Sequence, residues 1–240
     1  MYAVYYRPDL EKVAEEVKAK YGMADFRCGG DFTHVFILGG DGTLLEALHQ
    51  LPCILDSTVV HLGMGEVNFY RSAKFVTIED AVTHIEGGRY RVVELSTLES
   101  INCVALNEVA VYRREPGRLL KFRVAIDEGG LEGRADGIII STPHGTSGYV
   151  ASTFGPIVDY RAPVLVISFV APYTLFLRPL VTTADSVKVE TREEAVLVCD
   201  GRGRAVGRNF VVRPGGKKLR LAIFDNFNFL ERVAERFRSL

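Results

Sequence analysis

The sequence predicts an α/β domain on the N-terminal side followed by an all-β, sandwich-like domain. Three observations carry this. Over the first 90 positions, apolar runs of strand length alternate with apolar residues at helical spacing. From about Tyr90 the helical spacing stops, and short β-rich segments divided by Gly- and Pro-containing turns take over. Only near Phe227 does an amphipathic helical pattern return. Strands that alternate with helices form parallel sheets, because parallel neighbours need a crossover, whereas short strands joined by turns form stacked antiparallel sheets.

Residues 2–6 are rich in β-formers, and Pro8 then opens a helix with Leu10, Val13, Ala14 and Val17 on one face. The apolar run 35–38 ends in Gly39-Gly40-Asp41-Gly42-Thr43 and passes into Leu44, Leu45 and Leu48 at helical spacing. A third strand covers 59–62, and a short helix spans 78–85. In the second half, strands are expected at 91–98, 103–112, 119–126, 162–170, 187–190, 195–199 and 218–224. The final helix sets Leu230, Val233, Phe237 and Leu240 on one stripe, opposite Glu231, Arg232, Glu235 and Arg236, with Asp225 or Asn226 as its cap.

Of the 240 residues, 48% are hydrophobic and 25% charged, as expected for a globular chain with a sizeable core. A net charge of −1 excludes a general nucleic-acid binder, whose footprint is a basic excess, yet leaves room for a locally basic nucleotide site. Cys28, Cys53, Cys103 and Cys199 lie far apart with no C-x-x-C pair, so neither a disulfide framework nor a structural zinc site is expected. The five histidines are scattered too. No leader-like pattern occupies residues 1–10, and no run reaches the roughly 18 apolar residues of a membrane span, so a cytoplasmic chain without membrane contact is expected. Gln50 is the only glutamine, which fits a heat-adapted proteome.

Three segments carry chemistry. In Gly39-Gly40-Asp41-Gly42-Thr43, glycines between strand and helix let a ligand approach the main chain, and the N–H groups at the helix start favour a phosphate. Asp41 beside them is an acceptor-only group that can bind magnesium or take a proton from an attacking hydroxyl. Read without a ligand, the same turn is a tight strand-to-helix connection. Asn107-Glu108 puts two adjacent polar residues inside an apolar strand, where neighbours face opposite sides, so one of them leaves the core. The run from Asp136 through Ile138-Ile139-Ile140 ends in Ser141-Thr142-Pro143-His144-Gly145-Thr146-Ser147-Gly148-Tyr149, with Ser152 beyond. Its hydroxyls and ring can hold a ribose and adenine, or satisfy the turn's own backbone.

In that order and spacing these segments resemble the NAD kinase family, together with Gly155-Pro156, Arg178-Pro179-Leu180-Val181 and Asp200-Gly201. The Gly-Gly-Asp-Gly-Thr turn alone is shared with diacylglycerol and sphingosine kinases; the combination is more specific. The resemblance implies phosphorylation of the 2′-hydroxyl of the adenosine ribose of NAD to give NADP, with ATP or polyphosphate as donor and a divalent metal such as Mg²⁺. It implies an α/β domain of residues 1–90 to which the last helix, 225–240, returns, and a β-rich domain of 91–224. It also implies a homodimer or homotetramer with the dinucleotide bound between domains. By position, Asp41 matches the catalytic aspartate, and Gly39, Gly40, Gly42 and Thr43 the surrounding binding turn. Asn107, Glu108, Arg118, Arg134, Asp136, Ser147, Gly148, Tyr149 and Ser152 match dinucleotide contacts.

The sequence also departs from the family pattern. Where an Asn-x-Gly segment and Leu-Gly-Phe are usual, it has Leu62-Gly63-Met64-Gly65-Glu66-Val67-Asn68-Phe69, so that only Gly65 and Phe69 align. Gly148 replaces an alanine, His144 stands at a Ser/Thr position, Tyr173 replaces a histidine, and Arg202 stands where glutamine is frequent. Arg202, Arg204 and Arg208 can meet a phosphate or form a solvated strand face. Two other readings compete: a lipid kinase with the same glycine turn, and a dinucleotide sensor without catalysis.

Overall fold

The structure is a computed structural model that describes residues 1–65 and 68–238. Glu66, Val67 and Leu240, which entered the reading above, lie outside the described residues. Up to Leu95 the strands are β1 (Tyr2–Tyr6), β2 (Ala24–Asp25), β3 (His34–Leu38), β4 (Thr58–His61) and β5 (Arg91–Leu95). Next come β6 (Leu98–Ser100), β7 (Cys103–Ala105), β8 (Glu108–Arg113), β9 (Leu120–Ile126), β10 (Gly129–Ala135) and β11 (Gly137–Ser141). The last are β12 (Leu165–Val170), β13 (Leu180–Thr182), β14 (Val187–Cys199), β15 (Arg202–Pro214) and β16 (Leu219–Ile223). The helices are α1 (Glu11–Tyr21), α2 (Asp41–Gln50), α3 (Ile78–Glu86) and α4 (Phe229–Arg238). Two compact units result: Met1–Leu95 with Lys218–Leu240, and Ser96–Lys217.

The first unit is a six-stranded sheet in the order β2-β1-β3-β4-β16-β5. Every pair is parallel except β16 with β5. Val35 to Leu38 and Val59 to Val60 are fully buried, as expected for strands covered on both faces. Helix α1 buries Ala14 and Val17 and ends at Gly22, whose left-handed φ of 62° suits a glycine after a helix. Helix α3 starts with a reciprocal box between Thr77 and Asp80. Strands β5 and β16, which the texture of the sequence groups with the second region, pair here with each other, and β16 also pairs with β4. A short apolar strand carries no local mark of its sheet; the open edge of β4 decides its partner.

Helix α4 departs from its expected face. Leu230 is 70% exposed and Phe237 43%, whereas Phe229, Arg232 and Val233 are buried. The cap is Asn228, whose Oδ1 accepts the Glu231 N–H at 3.2 Å, and not Asp225 or Asn226. The rotation follows from Arg232, which is drawn inward by main-chain carbonyls and brings its side of the helix with it.

The second unit is built on the long β14–β15 hairpin. Its two-residue turn is Asp200-Gly201, with φ of 47° and 72°, the conformation that Asp-Gly hairpins favour because it matches strand twist. One edge of β14 changes partner along its length: Lys188 to Thr191 pair with β9, and Ala195 to Cys199 pair with β8. Between them the register shifts at a bulge, a usual device for bending a strand and re-aiming its edge. The β9–β10 wing faces the β8–β11–β12 wing across one core that includes Val109, Val111, Val124, Ile138, Ile140 and Ile167. Phe122 and Phe169 stack within it at 5.6 Å. Strands β10, β13 and β15 were not expected, since β10 reads Gly-Gly-Leu-Glu-Gly-Arg-Ala and most of β15 is polar and half-exposed.

The cysteines correct the sequence expectation outright. Cys28 pairs with Cys53 and Cys103 with Cys199, at Cα separations of 5.6 and 6.5 Å. Local spacing could not reveal this, because the partners lie 25 and 96 residues apart and only the fold brings them together.

Candidate functional site

In the first unit the glycine turn closes tightly around Asp41. Gly39 has a φ of +156°, and a Cβ on it would lie 2.2 Å from Thr43 Oγ1, so only glycine fits. Gly40 precedes α2 in extended conformation, and its carbonyl accepts the Thr43 N–H at 2.9 Å. Asp41 is therefore the first residue of α2, at the positive end of the helix dipole, where the leading N–H groups have no intrahelical acceptor. That is an anion-attracting corner with a carboxylate beside it.

The carboxylate is buried and held by main chain. Oδ2 accepts the Phe69 N–H at 2.9 Å, and Oδ1 accepts the Tyr70 N–H at 3.1 Å. A Cβ on Gly65 would fall 2.8 Å from Gly40 Cα. The two positions that still match the family pattern, Gly65 and Phe69, both touch the Asp41 turn, as do Met64, Tyr70 and His61. The segment at 69–71 is clamped in turn by α4: the Arg232 guanidinium donates to the carbonyls of Phe69 and Arg71, both at 2.7 Å. Burial lowers the Arg232 pKa to about 10, so it stays charged at neutral pH. Burial also raises the Asp41 pKa; His61, the N–H groups of Tyr70 and Phe69, and Arg236 act against that rise.

In the second unit the Asp200 carboxylate organises the Asn107-Glu108 segment. It accepts three main-chain N–H groups, from Leu106 at 2.6 Å, Asn107 at 2.8 Å and Glu108 at 3.0 Å. The polar turn after β11 locks onto the same segment. Thr142 N–H donates to the Asn107 carbonyl at 2.9 Å, and so does Ser141 Oγ at 3.0 Å. Gly145 packs directly on it: a Cβ there would meet the Asn107 carbonyl oxygen at 2.2 Å. Backbone against backbone cannot yield, so Gly145→Ala is expected to destabilise this unit by about 3 kcal/mol or more, measured by denaturant unfolding.

Most hydroxyls of that turn point back into it. Ser147 Oγ donates to the His144 carbonyl at 3.0 Å, Thr146 Oγ1 to Pro143 at 2.6 Å, and Ser152 Oγ to Tyr149 at 2.8 Å. Their protons shape the turn, and Thr146 Oγ1 also accepts the Val158 N–H at 3.0 Å. His144, at a Ser/Thr position of the family, is fully buried with Nε2 on the Ser96 carbonyl at 2.9 Å.

Arg118 and Arg134 lie elsewhere on this unit. From Glu108 to Arg113 the strand β8 runs roughly 17 Å. At the far end opens a cavity of about 760 Å³ whose lining includes Arg113, Arg118, Lys121, Arg134, Arg192 and Arg208. Asp136 pairs with Arg113 there at 3.0 Å. The unusual Tyr173 has a local reason: the Arg134 guanidinium stacks over its ring at 3.9 Å. The predicted dinucleotide contacts thus fall into a group around Asn107 and a basic group around Arg118. His61 and Arg232 in the first unit, and Asp200 in the second, hold predicted residues in place, although sequence reasoning gave none of them that role.

Residues 106–210 match the model of the ATP-NAD kinase C-terminal domain. An NAD kinase from Thermoplasma acidophilum is 31% identical over 221 residues, covering 85% of this chain and 77% of that protein. The chain belongs to the NAD kinase family. It is accordingly a kinase, as the combination of segments around Asp41, Asn107 and Ser147 led one to expect. NAD kinase folds superpose along its whole length. A crystal structure of an NAD kinase from Archaeoglobus fulgidus in complex with ATP gives a TM-score of 0.83 at 22% identity, covering 100% of this chain and 99% of that one. A yeast NADH kinase complexed with NADH gives 0.80 at 18% identity, covering 100% and 87%. No helix among the described residues is long and apolar enough to cross a membrane.

Proposed function

We propose that Asp41 is the proton acceptor in transfer of a phosphoryl group from ATP to the 2′-hydroxyl of the adenosine ribose of NAD, giving NADP. The observation that carries this is a buried carboxylate on the first residue of a helix whose N–H groups attract phosphate. As the ribose oxygen bonds to phosphorus and the bond to the leaving ADP breaks, the hydroxyl proton passes to Asp41. A carboxylate is far too weak a base to remove that proton beforehand, so transfer accompanies O–P bond formation. Most of the rate then comes from positioning and charge stabilisation. Gly39, Gly40, Gly42 and Thr43 serve the phosphates. Asn107, Glu108, Ser147, Gly148, Tyr149 and Ser152 serve the nucleoside, and Arg118, Arg134 and Asp136 the remaining dinucleotide contacts.

A divalent metal fits this reading as a partner of the donor. Among the described residues no three His, Cys, Asp or Glu side chains gather, so the donor's phosphate oxygens would have to supply most of the metal's ligands. A divalent metal such as Mg²⁺ would come with the donor and would neutralise charge on its phosphates. ATP as donor is supported by the complex of the Archaeoglobus fulgidus enzyme. The exposed Phe154, Leu175 and Phe176 side chains support a homodimer or homotetramer. Soluble nucleotide substrates support a cytoplasmic setting. The test is an NADP-formation assay with NAD or NADH as acceptor against ATP or polyphosphate as donor. NAD with ATP is expected to yield NADP; no product from any pair would sink the reading.

A further inference from the structure

His61 ends β4 with a side chain that is fully buried. Its Nε2 lies 3.0 Å from the Gly39 carbonyl oxygen. A carbonyl can only accept, so Nε2 carries a hydrogen. The other ring nitrogen, Nδ1, has no hydrogen-bond partner among the described residues, and it faces Asp41 Oδ1 at 3.9 Å. A neutral ring in this tautomer would therefore aim a lone pair at a buried carboxylate, two acceptors facing each other without water. A proton on Nδ1 removes the conflict: both ring nitrogens then donate, one toward Gly39 and one toward Asp41. The main-chain N–H of His61 is itself fixed, donating to Ser72 Oγ at 2.9 Å.

We propose that His61 is a positioning residue for Asp41: a proton on its Nδ1 holds the buried carboxylate ionised and able to receive the ribose proton. This rests on Asp41 being the proton acceptor. His61 touches neither substrate nor phosphate in this role; it acts through the carboxylate. The ring proton stays on His61 throughout, while the ribose proton goes to Asp41. Without help, burial disfavours the charged form of Asp41. The other charges that act on the carboxylate are Arg232 and Arg236, both from α4. Phe69 and Tyr70 contribute main-chain N–H groups only. His61 faces the carboxylate from the sheet side, from β4.

The test uses His61→Gln and His61→Asn with turnover measured across pH. Asp41 must be ionised to accept a proton, so turnover falls as pH drops through its pKa. Losing a positive neighbour within about 4 Å raises that pKa, and the acidic limb is expected to move up by about 1–2 pH units in both variants. Turnover is expected to fall about 10- to 100-fold at neutral pH and to recover on the alkaline side, where the carboxylate ionises unaided. A folding defect would not recover with pH. Glutamine can still reach the Gly39 carbonyl, so a native acidic limb in His61→Gln, with damage confined to His61→Asn, would show that His61 only braces the turn and would overturn the proposal. The ¹⁵N resonances of the wild-type imidazole give an independent readout: two protonated nitrogens are expected at neutral pH, and a neutral Nε2–H ring would overturn it. Asp41→Asn separates the two ideas, because turnover retained in that variant removes the proton acceptor itself, whatever His61 does.

Discussion

Asp41→Asn is expected to lower turnover by about 10³-fold or more while NAD binds near its native affinity. The amide keeps the shape of the carboxylate and can still accept one of the two main-chain N–H groups, from Phe69 or Tyr70, that hold it. The other N–H then faces an NH₂, at a cost of about 1 kcal/mol, which the clamp from Arg232 on the same segment can absorb. What the amide cannot do is take a proton. The defect therefore falls on kcat and leaves KM for NAD little changed, since the proton moves only as the O–P bond forms. Steady-state NADP formation measures the first quantity, and calorimetric NAD binding the second. Near-native turnover would remove Asp41 from the chemistry.

The second large effect is expected at Asp200. In Asp200→Ala the N–H groups of Leu106, Asn107 and Glu108 lose a shared acceptor in a part-buried position. Each such orphan costs about 1–3 kcal/mol. The left-handed backbone at Asp200, φ 47°, adds strain for alanine. A loss of about 3–5 kcal/mol is expected, lowering the melting temperature by on the order of 10 °C. Because the freed segment carries Asn107 and Glu108, NAD affinity should fall as well. Asp200→Asn, which keeps an acceptor and tolerates that backbone, should recover most of the stability. Equal melting temperatures for Asp200→Ala and the parent would show that the three hydrogen bonds are not structural.

The parts of the fold that were legible in the sequence are those set by local pattern. The 35–38 strand, the glycine turn and the 44–48 spacing led directly to β3 and α2, because burial on both faces and helical period are written along the chain. Asp41 was singled out by the glycine turn around it, and Asn107-Glu108 by being polar inside an otherwise apolar strand. The rest depended on tertiary partners. Arg232 looks like an exposed-face residue until the carbonyls of Phe69 and Arg71 claim it. His61 is one histidine at the end of an apolar strand, and nothing near it in sequence announces Asp41. The disulfide partners are distant for the same reason. Asp200-Gly201 is different: an Asp-Gly pair after an apolar strand is a hairpin signal, and it points to β15 despite the polar composition of that strand.

Arg232 also bears on when the enzyme becomes competent. The glycine turn and its strands are synthesised early, but the guanidinium that braces the Asp41-bearing corner comes from α4, which follows every other described element. The first unit is assembled from two stretches of chain with the whole second unit translated between them. A ribosome-bound intermediate can thus carry a finished second unit while the phosphoryl-transfer corner still lacks its brace. A chain stopped before α4 is therefore expected to hold the Asp41 turn without the Arg232 donors that clamp the segment at 69–71.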